Sequence, residues 1–132
     1  MWIWRQEQGD LLDPSGKIVS VGYSGAVGFQ SPLDQDIHNK GPIPQGHYTI
    51  EAPENTDTHG PYVLALTPGI DNDMFGRSGF LIHGDKIGAP GTASEGCIIL
   101  PRDVREAIWQ SGDHELEVIG GSESYMDEAE WG

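Results

Sequence analysis

Gly79-Phe80-Leu81-Ile82-His83-Gly84 and Ser94-Glu95-Gly96-Cys97-Ile98-Ile99-Leu100 hold two short apolar runs, the first bounded by glycines and the second by Gly96 and Pro101, and each carries one chemically versatile side chain. Runs of four to six apolar residues, β-branched and closed by turn formers, read as buried strands rather than helices. The first ends on a histidine and the second opens on the chain's one cysteine. Two neighbouring strands joined by a long loop would set the ring beside the sulfur.

The same pattern extends in both directions. Met1–Gln6, Lys17–Tyr23, Gly46–Glu51, Tyr62–Thr67 and Glu115–Ile119 alternate or are β-branched, and glycine and proline separate them. Many short strands between turn residues predict a mainly β domain, a sandwich or barrel. Asp13-Pro14-Ser15-Gly16 has the composition of a hairpin turn. One helix is expected near 102–110. Pro101 suits its start, Asp103 complements its positive end, Val104, Ala107 and Ile108 share a face, and Ser111-Gly112 stops it. Segments 30–45, 52–61, 67–77 and 84–95 read as long loops, which in a small β domain are commonly binding loops.

At 132 residues the chain is long enough for one core without covalent staples. One domain is expected over 1–120, followed by an acidic tail over 121–132. The formal net charge is −14, and half of it lies after Leu100. That balance argues against nucleic acid and anionic membrane surfaces as partners, because both select clustered Lys and Arg. No apolar run reaches the ~20 residues of a membrane span, and the charged Arg5 denies the N-terminus a signal-peptide core. A single cysteine excludes an internal disulfide framework and a multi-cysteine zinc site. His38, His47, His59 and His83 lack metal-ligand spacing, and Asp71-Asn72-Asp73 leads to Ile82 where a calcium loop needs Glu, so no metal or other cofactor is expected.

Chemistry therefore falls to Cys97 and His83. A cysteine nucleophile needs an imidazole base and backbone N–H groups for the developing oxyanion. Gly96 permits close approach of backbone to a substrate. The plainer alternative is a small buried cysteine beside a satisfied histidine. A papain-like order, cysteine before a distant histidine, is not met, since only His114 follows Cys97. A non-enzymatic acidic binding or immunity-type protein is the other alternative. Rapid alkylation of Cys97 below the usual thiol range would separate a catalytic thiolate from a buried structural thiol.

The block Ile82-His83-Gly84…Ser94-Glu95-Gly96-Cys97-Ile98 resembles the signature of the YkuD-like L,D-transpeptidases. Gly22-Tyr23-Ser24-Gly25, Gly41-Pro42-Ile43-Pro44-Gln45-Gly46-His47-Tyr48 and Gly76-Arg77-Ser78-Gly79 extend the likeness. Together they are closest to the small L,D-transpeptidase-related domain of type VI secretion effectors, labelled DUF2778, over roughly 18–119. The resemblance implies a YkuD-like β-sandwich and a substrate in the peptidoglycan stem peptide. It implies Cys97 as nucleophile, His83 as base and Gly84 as the carbonyl that orients the ring. Ser94 and Gly96 match the residues before the nucleophile. Glu95 and Ile99 depart from the family's usual His and Arg. The reaction implied is L,D-carboxypeptidase cleavage or L,D-transpeptidase exchange through a thioester. The resemblance also implies an antibacterial toxin, a monomer delivered to a periplasm without a classical signal peptide and countered by an immunity protein. Arg77 is expected to bind a substrate carboxylate, and Tyr23 to line the cleft or fill the core.

Overall fold

A computed structural model describes residues 1–121. The expected acidic tail thus lies, except for Gly121, outside the described residues. The chain is mainly β, as its alternation predicts. Ten strands occur in the order β1 (Trp2–Arg5), β2 (Asp10–Leu12), β3 (Ile18–Val21), β4 (Tyr23–Ser24), β5 (Gly46–Ile50), β6 (Glu54–Thr56), β7 (Gly60–Pro68), β8 (Leu81–His83), β9 (Ile98–Ile99) and β10 (Glu115–Ile119). One α-helix, α1, spans Arg102–Gln110 between β9 and β10.

The strands form one hydrogen-bonded path, β3-β2-β1-β10-β5-β7-β8-β9-β4, with β6 paired to β7 off it. Laid flat, nine strands at ~4.8 Å spacing would span roughly 40 Å. The path is not flat. Leu11 of β2, near one end, and Ile98 of β9, near the other, belong to one buried cluster with Trp4, Tyr48, Ile50, Leu64, Leu116 and Val118. The sheet therefore curls over a shared core, which is how so small a domain hides both apolar ends.

Local chemistry explains most elements. Trp2 and Trp4 point inward on alternate positions of β1, so burial sets its register against Leu116 and Val118 of the parallel β10. The β2–β3 hairpin turns where expected: the Asp13 carboxylate accepts the N–H groups of Ser15 and Lys17 and the Ser15 hydroxyl. In α1 the buried positions are Arg105 and Ile108. Ile108 lies in the core and Val104 packs against it as the sequence suggests, but Ala107 is exposed and Arg105 takes a buried position on the inner face. The 52–61 segment is not simply a loop, since β6 lies within it.

Two features of this path place the site. Strand β8 pairs with β9 in parallel, Ile82 opposite Ile98 and His83 opposite Ile99. Parallel neighbours need a long crossover, and segment 84–97 supplies it without a helix. Ile82 and Ile98 are fully buried in the core. Successive side chains on a strand alternate faces, so His83 turns away from the core that Ile82 enters, and Cys97, just before β9, lines the same cleft as His83.

Candidate active site

On that side lies a cleft of about 940 Å³ whose lining includes His59, Arg77, Phe80, His83, Gly84, Glu95, Gly96, Cys97 and Arg105. Cys97 stands where the crossover becomes β9. The turn before it is held by two buried serines. The Ser94 hydroxyl donates to the Cys97 carbonyl at 2.5 Å and accepts the N–H groups of Gly25 at 2.9 Å and Gly96 at 3.0 Å. The Ser24 hydroxyl donates to the Gly96 carbonyl at 2.6 Å and accepts the Ile43 N–H at 2.8 Å. Neither hydroxyl has a proton to spare for chemistry; both fix the backbone that carries the sulfur. Gly96 has φ +147°, and a Cβ there would stand 2.7 Å from both Arg77 Nη2 and Phe80 Cε1. Glycine is the residue that fits.

His83 is 4 % exposed. Its Nδ1 lies 2.9 Å from the Gly84 carbonyl. A carbonyl only accepts, so Nδ1 carries the hydrogen, and in the neutral ring Nε2 is left with its lone pair. Burial pushes the His83 imidazole below its ordinary range; the Gly84 carbonyl opposes this, and the neighbouring His59 and Arg105 add to it. The His59 ring, carried on the turn between β6 and β7, sits 4.7 Å from the His83 ring at 52°.

The thiol is shifted the other way. Burial pushes Cys97 above the usual thiol range, the Leu81 backbone N–H pulls it back, Glu95 raises it and Arg77 lowers it. With the thiol held up and the imidazole held down, both groups are neutral at rest near pH 7. A thiolate standing below the usual thiol range, the mark by which a catalytic cysteine would be told from a structural one, is therefore not favoured in this site at rest.

Arg77 and Tyr23 are placed differently from their sequence reading. Arg77 lines the cleft, but Nη1 donates to Gln35 and Pro42 carbonyls and Nη2 to Gly41 and Glu95 carbonyls, while its guanidinium lies over Phe80. Its terminal donors are spent on tying segment 35–42 to the Cys97 turn. Tyr23 is not among the residues lining this cleft. It lies behind the crossover, where its hydroxyl donates to Asp85 at 2.6 Å and accepts the Ala93 N–H at 3.0 Å. That phenol is pushed up to about 12, first by burial and then by Asp85. Asp85 also takes the N–H groups of Lys86 and Gly91, so Tyr23 and Asp85 brace the crossover from its far side.

Three residues of this region escape sequence reading. Ser24 stands within a block of the family resemblance, but nothing in the sequence gives it a role. His59 is visible only as one of several histidines. Arg105 sits inside a helical pattern whose apolar periodicity assigns the inner face to its neighbours. Among the described residues no three His, Cys, Asp or Glu gather to hold a metal ion. No helix among them is long and apolar enough to cross a membrane.

The model of the Tlde1 domain matches residues 19–120, which takes in both strands of the site, the crossover and α1. The chain belongs to the Tlde1 domain family. That family consists of type VI secretion effector domains. A search of curated protein sequences gave no match. Among solved structures, that of Bdellovibrio bacteriovorus Bd1075 is similar with a TM-score of 0.57 at 17% identity, over 91% of this chain and 47% of that one. This is a likeness of fold, and the chain spans about half the length of that protein.

Proposed function

We propose that this Tlde1 domain is a cysteine enzyme that cuts or exchanges the stem peptides of peptidoglycan. One observation carries the reading: a histidine whose Nδ1–H is held by the next residue's carbonyl lines the same cleft as the cysteine that immediately precedes the adjoining parallel strand. That arrangement leaves the Nε2 lone pair available as a base in the cleft that holds the thiol.

The reaction follows from these groups. A stem peptide lies in the cleft with the carbonyl before its terminal D-residue near Cys97, at the L-centre of a diaminopimelate. His83 Nε2 takes the thiol proton as sulfur attacks that carbonyl. The backbone N–H of Cys97 faces the developing oxyanion. Collapse breaks the amide bond, the imidazolium returns its proton to the leaving amine, and a thioester remains on Cys97. Water as acceptor gives L,D-carboxypeptidase action and releases the shortened peptide. An amine as acceptor gives exchange or a new crosslink. A peptidoglycan-cutting effector of this kind acts in a rival's periplasm, and its producer needs an immunity protein.

Mass spectrometry of purified muropeptides after digestion tests the reading. The expected outcome is loss of one D-residue per stem peptide, or its replacement when free D-amino acid is supplied, and neither with Cys97→Ala. Unchanged muropeptides after incubation with folded wild-type protein would overturn it.

A further inference from the structure

The second arginine of the cleft is built differently from Arg77. Arg105 is 5 % exposed. Its Nε donates to the Leu100 carbonyl at 3.1 Å, and Nη1 donates to the Pro61 and Tyr62 carbonyls at 2.8 Å each. These contacts clamp the guanidinium between the end of β9, the start of α1 and the start of β7. Nη2 has no hydrogen-bond partner among the described residues, and no carboxylate among them forms an ion pair with this side chain. The residue lines the cleft, and its Nη2 lies 3.0 Å from where a Cβ at Gly84 would stand. Gly84 is the residue whose carbonyl holds His83.

A guanidinium taken out of water without a counter-charge is costly, and proteins keep one where an anion completes it. Three carbonyls fix the direction of this fork, so little ordering remains when an anion arrives. The absence of side chain at Gly84 leaves the approach to Nη2 open. Nη2 is thus the unspent donor of a buried cation, set against Gly84, the residue that follows the base in the chain.

We propose that Arg105 is the carboxylate-binding residue of the cleft, and that its Nη2 takes the free terminal carboxylate of the stem peptide. This rests on the reading of Cys97 and His83 as the reacting pair, and it adds a selection rule to that reading. A peptide must end one residue beyond the attacked carbonyl to reach Arg105. The cleft is then built for trimming ends rather than for cutting within a crosslinked chain. The arriving carboxylate also neutralises the positive charge facing His83, which makes the ring a stronger base when substrate is in place.

The test is binding, measured by calorimetry in the full chain carrying Cys97→Ala, so that no turnover intervenes. Three synthetic stem peptides are compared: free acid, terminal amide, and a peptide amidated only on the diaminopimelate side-chain carboxyl. The free acid is expected to bind about tenfold or more tightly than the terminal amide, with little change for the side-chain amide. Adding Arg105→Gln should remove that difference. Equal affinity for acid and terminal amide overturns the proposal with Arg105 itself intact, so it does not depend on the variant folding. A loss confined to the side-chain amide, or a preference that survives in folded Arg105→Gln, overturns it as well. If the preference holds but the unsubstituted protein leaves muropeptides unchanged, Arg105 stands and the catalytic reading falls.

Discussion

The two halves of the strand path use burial for opposite purposes. In the β2-β1-β10-β5 half, Trp2, Trp4, Leu11, Leu116 and Val118 are buried, with Gln6 and the Arg5-paired Asp10 as its buried polar groups. Pairing there is regular over four residues in both β1–β10 and β10–β5. In the β7-β8-β9-β4 half the strands past β7 are two or three residues long, and Arg77, His83, Ser94 and Arg105 are buried alongside Ile82 and Ile98. One half gains its stability chiefly from apolar area. The other holds polar groups out of water at a cost and keeps them in place through backbone carbonyls and N–H groups. Substitutions in the two halves should therefore fail in different ways.

The largest expected separation is between His83→Ala and Trp4→Ala. His83→Ala should lower turnover about 10²–10⁴-fold at neutral pH with little change in thermal midpoint, because it removes the base and not the core. Trp4→Ala should destabilise by about 3–5 kcal/mol, read by denaturant unfolding, while the remaining native molecules keep their turnover. If Trp4→Ala lowered turnover of native molecules as His83→Ala does, the division of labour would be wrong.

A smaller effect joins the halves. Ser94→Ala leaves the Gly25 and Gly96 N–H groups and the Cys97 carbonyl without their shared partner. It should cost about 1–3 kcal/mol and lower kcat more than it raises KM, since the displaced element carries the sulfur. Wild-type kcat in a measurably destabilised Ser94→Ala would detach that turn from the reaction.

The smallest effect is electrostatic. Burial, with His59 and Arg105, holds His83 below 6.5, so the acid limb of kcat/KM should lie below that pH and activity should rise as the ring loses its proton. His59→Ala removes a group that disfavours the imidazolium. The limb should move upward by roughly a few tenths of a pH unit, since His59 is exposed and screened. A downward shift would contradict the ring contact as the cause.

These contrasts also mark what a sequence reader can see. The apolar half and the two site strands are legible because their β-branched runs are bounded by glycine and proline. Strand β2 is not, because it is three residues long and opens on Asp10, whose burial depends on its ion pair with Arg5. Strand β6 is hidden because Glu54-Asn55-Thr56 has no apolar face. His83 and Cys97 stand out as the histidine and the lone thiol that end and open apolar runs. The two arginines do not, because a sequence shows a charge and not the number of carbonyls waiting for it. Arg77 reads as a carboxylate binder and has its terminal donors spent on carbonyls; Arg105 draws no reading within α1 and is buried with Nη2 unpartnered among the described residues.

The central claim is that Cys97 carries the acyl group. The direct measurement is intact-protein mass spectrometry after acid quench of wild-type protein mixed with a stem peptide, followed by peptide mapping. The account predicts a mass added equal to the peptide minus one free D-amino acid, located on the peptide that contains Cys97, and absent in Cys97→Ala. Turnover without any such adduct, undiminished in Cys97→Ala, would contradict it.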